Sequence, residues 1–185
     1  AEQYPKTLGQ LLRLCGQDPM LVARAPWLST SADEALPSLV WPGEVTKRAE
    51  RLQICFRETG VRFAGARVRA VPAVTLNEHF RRTQNKGRVL GDVFVELARE
   101  LRAIGPGPLH ITADKHGGRA AYAALLGQAF PLCPIDIGCE TPAASEYSVK
   151  TPQGLTIVVF RREAEDASLP VALASMIAKY VRERL

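Results

Sequence analysis

The chain has 185 residues, enough for one domain with a sizeable core, and its 46% hydrophobic and 23% charged residues are typical of a soluble globular protein. Its 24 basic and 19 acidic residues give a net charge of +5, which favours polyanionic partners such as nucleic acid without establishing one. No run approaches 18 consecutive apolar residues, and the N-terminus lacks a basic and apolar leader, so neither a membrane-spanning helix nor a signal peptide is expected.

The four cysteines, at positions 15, 55, 133 and 139, form no CxxC pair and have no histidine partners at zinc-binding spacing. This pattern argues against a zinc site and predicts a cytoplasmic protein with reduced, buried thiols.

The first 60 residues predict a helical N-terminal region to which the sequence assigns no role. Helices are expected over Thr7–Cys15 and Glu44–Thr59, the second ended by Gly60, with an irregular stretch between them from Asp18 to Pro42. We expect residues 61–185 to form the core and the whole chain to form one compact domain.

From residue 61 onward, strand and helix patterns alternate, which predicts an α/β fold with a mixed sheet. Val61–Val71 alternates apolar and basic residues like a half-buried strand. The further predicted strands are Leu109–Ala113, Ile135–Ile137, Tyr147–Lys150 and Leu155–Phe160, and the predicted helices are Thr75–Arg82, Gly87–Ile104, Ala120–Phe130 and Ser168–Leu185.

A glycine-rich turn, Lys115-His116-Gly117-Gly118-Arg119, follows the strand that ends at Asp114. Two glycines beside Lys115 and Arg119 predict backbone N–H groups and cations that face an anion. A tight strand-to-helix turn explains the pattern equally well. Such a turn also leaves open an unrelated α/β enzyme that binds a phosphorylated small molecule.

The terminal helix carries a polar stripe, because Ser175, Lys179 and Arg182 lie at i, i+4 and i+7. Its buried side is expected to comprise Leu173, Ile177 and Val181, with Ala174 and Ala178. The stripe suits contacts to a nucleic-acid backbone, although a solvated basic face is the simpler interpretation.

The segment Leu173-Ala174-Ser175-Met176-Ile177-Ala178-Lys179-Tyr180-Val181-Arg182-Glu183 resembles the signature helix of type 2 ribonucleases H, A-A-S-I-[IL]-A-[KR]-[VY]-x-R-D. The resemblance covers about residues 61–185. It implies a ribonuclease H-like mixed central sheet flanked by helices, and hydrolysis of the RNA strand of RNA–DNA hybrids with Mg²⁺ or Mn²⁺. It also implies nucleic-acid contacts by Ser175, Lys179 and Arg182.

The same resemblance carries two catalytic, metal-binding carboxylates over to this chain. One precedes the signature serine by ten residues, which corresponds to Glu165, and the other ends a strand, which corresponds to Asp114. We expect their carboxyl groups to lie about 4–8 Å apart, as a two-metal site requires. Alternatively, Glu165 is one of several acids at a helix start and Asp114 is a turn former. The long spacing between the two implies an inserted hairpin near Ser145–Gly154.

The family's first-strand motif, D-E-A-G-x-G, is absent. Asp33-Glu34-Ala35 lacks a preceding apolar strand and following glycines, so its acids are assigned no role. With only two of the family's four carboxylates, we expect the chain to be inactive or nearly so, and a non-catalytic nucleic-acid-binding relative remains the alternative.

Overall fold

The structure, a computed structural model, describes residues 4–17, 33–36 and 40–184. These residues form six α-helices, four strands and one 3₁₀ turn. In chain order the elements are α1 (Leu8–Leu14), α2 (Pro42–Thr59), α3 (Ala73–Thr83), α4 (Lys86–Ala103), β1 (Leu109–Asp114), α5 (Ala123–Ala129), β2 (Ile135–Glu140), β3 (Ala144–Thr151), β4 (Gly154–Arg161), the 3₁₀ turn (Ala164–Asp166) and α6 (Leu169–Arg184). Most of the stretch predicted to be irregular, from Asp18 to Pro42, lies outside the described residues.

The chain divides into two compact units, Ala1–Pro72 with Ala178–Leu185, and Ala73–Ile177. In the first unit the Thr7 side chain caps α1 by accepting a hydrogen bond from the Gln10 N–H at 3.2 Å. α2 ends where Gly60 takes a left-handed conformation, as the sequence predicts.

The strand predicted over Val61–Val71 is wrong, because the structure has no strand between residues 61 and 72. The backbone of this segment bonds elsewhere: the Val68 N–H donates to the Cys15 carbonyl at 2.9 Å, and the Ala70 N–H donates to the Gln17 side chain at 2.7 Å. The alternating pattern therefore belongs to a segment that bonds to the residues just after α1 and not to a sheet.

The second unit contains a four-stranded mixed sheet in the order β1-β4-β3-β2. β1 runs parallel to β4, whereas β2, β3 and β4 form an antiparallel meander. This sheet and its flanking helices confirm the predicted α/β class. A hairpin is present near Ser145–Gly154, since β3 and β4 pair along their whole length up to Thr151 and Gly154, and that it is an insertion stays a prediction.

The core lies on one face of the sheet, where α4 and α5 pack. Thr156, Val158 and Phe160 lie at alternate positions of β4 and are fully buried, so this face of the strand packs in the core. Burial of each large apolar side chain stabilises the fold by about 1.5–3 kcal/mol. The core comprises Val95, Ala98, Ile111, Tyr122, Leu125, Leu126, Ala129, Phe130, Tyr147, Val149, Val158 and Phe160.

The end of the sheet where β1 begins is held by Arg102, which is buried. Its guanidinium donates to the Gly107 carbonyl at 3.0 Å and to the Thr156 hydroxyl at 3.3 Å. Gly154 lies against Gly107 so closely that a Cβ there would come 2.6 Å from the Gly107 carbonyl oxygen, so only glycine fits. This end of the sheet is therefore closed by protein contacts.

No helix in the described ranges is long and apolar enough to cross a lipid bilayer.

Candidate functional site

Asp114 and Glu165 lie at or just beyond the carboxyl ends of β1 and β4, which are adjacent parallel strands. Asp114 ends β1 and pairs with Arg161, which ends β4, and the Lys115 N–H donates to the Arg161 carbonyl at 3.1 Å. Glu165 lies four residues beyond Arg161 in the 3₁₀ turn, which contacts β1. Because parallel strands end at the same edge of a sheet, the two acids lie at one edge. Both are solvent-exposed, and the 4–8 Å separation of their carboxyl groups stays a prediction.

Glu140 is the nearest further carboxylate by sheet position, but strand register assigns it to the other face. Asp114 shares a register row with Arg161 and Ala144, whereas Glu140 shares the next row with Ser145 and Phe160. Neighbouring rows project to opposite faces of a sheet. Within the described ranges, no group of three or more His, Cys, Asp or Glu side chains is arranged to hold a metal ion.

The turn predicted to face an anion is largely bonded to the protein itself. Lys115 is buried and its ammonium group donates to the Thr141 carbonyl. The Gly117 N–H donates to the Lys115 carbonyl at 3.0 Å, and the Arg119 N–H donates to the His116 carbonyl at 3.3 Å. The helix after the turn begins at Ala123 and not at Ala120. Two of the N–H groups on which the anion-binding prediction depends are thus already satisfied.

A chain of hydrogen bonds connects this turn to the sheet, and the sequence patterns did not predict it. The His116 N–H donates to the Tyr122 hydroxyl at 2.9 Å, and the Tyr122 N–H donates to the Tyr147 hydroxyl at 2.8 Å. The Tyr147 hydroxyl in turn donates to a Glu140 carboxylate oxygen. Ser145 adds a bond from its hydroxyl to the Ala120 carbonyl at 2.6 Å. The turn is therefore held in one position beside Asp114.

Aromatic rings surround His116 at the same place. The Tyr122 and Phe160 rings stack with centroids 3.7 Å apart, and His116 meets the Phe94, Tyr122 and Phe160 rings edge to face at 5.8–6.1 Å. Its Nδ1 atom is buried, and no hydrogen-bonding group of the described residues reaches it. The Arg119 guanidinium lies 5.8 Å from the Tyr122 ring centroid, within cation–π distance.

Burial determines the ionisation of this cluster. It lowers the pKa of His116, the Arg119 charge lowers it further, and the Asp114 charge opposes both. The imidazole is therefore neutral at physiological pH. Burial, together with the hydrogen bond to Glu140, raises the pKa of Tyr147 to about 12, so its hydroxyl remains a donor.

The three residues of the terminal stripe are all exposed on α6. Ser175 belongs to the second compact unit, and Lys179 and Arg182 belong to the first. Val181 is buried, as expected, and Leu173 and Ile177 are half-buried. The expected burial of the two alanines is wrong, because Ala174 and Ala178 are both exposed. The apolar face of α6 is thus narrower than the sequence predicts.

Comparison of the chain with protein-family models, with curated proteins and with solved structures finds no match.

Proposed function

We propose that the protein is a ribonuclease H-like nuclease that binds RNA–DNA hybrids and hydrolyses their RNA strand with Mg²⁺ or Mn²⁺, only slowly in this chain, which has two of the family's four carboxylates. One observation carries the proposal: Asp114, which ends β1, and Glu165, which follows β4, both match carboxylates of the family, and β1 and β4 are adjacent parallel strands. Residues 51 positions apart in sequence thereby come to one sheet edge.

The donor set fits a hard divalent cation. Mg²⁺ and Mn²⁺ prefer carboxylate oxygens, and both acids are exposed enough to reach an ion that keeps several of its waters. Two carboxylates without a third side chain would bind the ion weakly, and substrate phosphate oxygens would strengthen that binding. Bound there, the metal would supply Lewis-acid activation of a phosphodiester.

The residues around the acids contribute positioning and charge. Arg119 supplies a guanidinium group to this cluster, where its charge and that of Asp114 both act on His116. The hydrogen bonds through Tyr122 and Tyr147 fix the backbone of the turn that follows Asp114. Less conformational entropy is therefore lost at this turn when substrate binds.

Contact with the hybrid backbone is assigned to α6 and to the turn. Ser175, Lys179 and Arg182 are solvent-exposed and present one hydroxyl and two cations to phosphate oxygens. Arg119 is half-buried and adds a donor from the turn. Lys115 contributes only if its ammonium group leaves the Thr141 carbonyl, so we expect the smallest effect from its side chain.

A non-catalytic nucleic-acid-binding protein is the second candidate. It is favoured by the lack, within the described ranges, of any group of three or more potential metal ligands. Both candidates share the α6 contacts and differ only in whether a metal ion acts on the substrate.

Fluorescence anisotropy of a labelled RNA–DNA hybrid tests the proposal. Mn²⁺ should raise the affinity of the unmodified chain by about tenfold, the value of one well-placed charge interaction. Asp114→Asn and Glu165→Gln should lose this increase. Asp136→Asn is the matched control, because Asp136 is an exposed carboxylate, the second residue of β2, and pairs with Lys150 at 3.3 Å.

Three outcomes separate the alternatives. Slow cleavage of the RNA strand that depends on Asp114 and Glu165 supports the nuclease. Binding that is insensitive to metal and to both acids supports the second candidate. If the chain fails to bind the hybrid at low salt, both are wrong.

A further inference from the structure

A cavity of about 340 Å³ opens between the end of α3 and the start of α4, in the second compact unit. Two guanidinium groups and an imidazole line it, together with one hydroxyl and one carboxylate. The lining residues are His79, Arg82, Thr83, Arg88 and Asp92.

The corner that shapes this cavity is fixed by its own hydrogen bonds. The Thr83 hydroxyl donates to the His79 carbonyl at 2.8 Å and lies 3.4 Å from the Asn85 N–H, which donates to it. The Gln84 N–H donates to the Phe80 carbonyl at 2.8 Å, and Gln84 takes a positive φ of 51°. The linker between the helices therefore has a defined conformation, which sets the places where Arg82 and Arg88 project.

The charged groups of the cavity have no protein partner in the described part of the chain. Arg82 and Arg88 are exposed, and their guanidinium groups make no ion pair within 4.0 Å and no hydrogen bond with any described residue. The same holds for the Asp92 carboxylate. Two guanidinium cations and one carboxylate line this space, so a net positive charge remains, and an anion between the two arginines would offset it.

The start of α4 adds further positive charge beside this cavity. Its first turn contains no acidic residue, and the Asn85 side chain makes no capping hydrogen bond. A cation in the first turn, such as Arg88, opposes the positive end of the helix dipole. An anion held by Arg82 and Arg88 would face both the cations and this end of the helix.

We propose that this cavity is a phosphate-binding site, built from Arg82 and Arg88 with His79. A guanidinium group offers two parallel N–H donors to phosphate oxygens, and His79 adds a further donor from α3. The cavity volume accommodates a phosphate group with its attached atoms. The phosphate could be free inorganic phosphate or part of a nucleic-acid backbone, and the proposal does not depend on Asp114 or Glu165.

Asp92 allows a test whose expected result differs between a phosphate-binding site and a merely solvated surface. Its carboxylate lines the same cavity and repels a phosphate group, so Asp92→Asn should tighten binding. On a surface without a site, the same substitution would change only the net charge.

The test is an NMR titration of the full 185-residue chain with inorganic phosphate, with equal additions of chloride as the ionic-strength control. Amide signals of Gly87 and Arg88 should shift in a saturable manner. The double variant Arg82→Ala/Arg88→Ala should lose at least about tenfold in affinity, the value of one charge-assisted hydrogen bond. Asp92→Asn should gain affinity. Arg81→Ala is the matched control, because Arg81 is an exposed arginine of the same helix turn that does not line the cavity.

A second titration, with an RNA–DNA hybrid, identifies the source of the phosphate. If the hybrid shifts the same signals and inorganic phosphate does not, the site reads a phosphodiester backbone; if only inorganic phosphate does, the site takes the free ion. Both results require loss in the double variant and retention in Arg81→Ala. Equal loss in Arg81→Ala, or no saturable shift with either ligand, overturns the proposal. A retained amide spectrum in each variant shows that its fold is intact.

Discussion

The glycine-rich turn after β1 and the corner between α3 and α4 both carry cations, but they use them differently. In the turn, the Lys115 ammonium group is buried on the Thr141 carbonyl, and Arg119 lies beside the Tyr122 ring. At the corner, Arg82 and Arg88 have no partner among the described residues and face a cavity. The turn after β1, whose sequence looks like an anion-binding motif, thus uses its cations within the fold. The corner between α3 and α4, which has no recognisable motif, presents its cations to solvent.

The largest expected loss of stability comes from the stacked Tyr122 and Phe160 rings, which contact His116 of the turn. Phe160→Ala removes the partner of the Tyr122 ring from a fully buried position and should lower the free energy of unfolding by about 3–5 kcal/mol. Phe63→Ala is the control, because that ring is 52% exposed and should cost much less. Urea denaturation measures both, and similar costs would show that the turn does not rest on a packed core.

A smaller loss is expected when the buried lysine is replaced. Lys115→Met keeps most of the volume but leaves the Thr141 carbonyl without its donor, which should cost about 1–3 kcal/mol. A change within about 0.5 kcal/mol in the same denaturation experiment would mean that the ammonium group is free to leave the carbonyl. Phosphate contact by Lys115 would then gain support.

The pH dependence of stability probes His116. Because burial lowers its pKa in the folded state, the unfolded state binds more protons once the pH falls below about 6.5. The contribution of His116 is therefore complete above that pH and is lost as the pH falls through the folded pKa. The melting temperature of His116→Gln should decline less steeply than that of the unmodified chain between pH 7 and pH 5. Parallel curves would argue against a buried, neutral imidazole.

The smallest effect on stability is expected at the corner. Arg82→Ala/Arg88→Ala removes two exposed cations without protein partners, so the free energy of unfolding should change by no more than about 0.5 kcal/mol. Removing Arg88 from the first turn of α4 should make any change slightly stabilising. A destabilisation above about 1 kcal/mol in thermal melts without phosphate would show that these arginines serve the fold.

The sequence predicted the elements whose patterns are local. Periodic apolar residues predicted α4 to within one residue at each end, and the strand predicted over Leu155–Phe160 lies within β4. The strand predicted over Val61–Val71 failed because alternation cannot reveal whether a neighbouring strand exists. That segment bonds to Cys15 and Gln17 instead.

The candidate site was only partly accessible to sequence reasoning. Asp114 and Glu165 came from a resemblance, and the parallel pairing of β1 and β4 explains how one sheet edge receives both. The hydrogen bonds that join Tyr122, Tyr147 and Glu140 could not be predicted from the sequence, because a hydrogen-bonded tyrosine has the same pattern as an ordinary core residue. Burial of Lys115 was equally hidden, since its partner is a backbone carbonyl.

The claim that Asp114 and Glu165 hold one divalent cation is tested most directly by Mn²⁺ binding, followed by electron paramagnetic resonance of the free ion. The account predicts saturable binding by the unmodified chain and by Asp136→Asn, and a loss of affinity of about tenfold or more in both Asp114→Asn and Glu165→Gln. Binding that is unchanged in either of these two variants, or no binding by the unmodified chain, would contradict it.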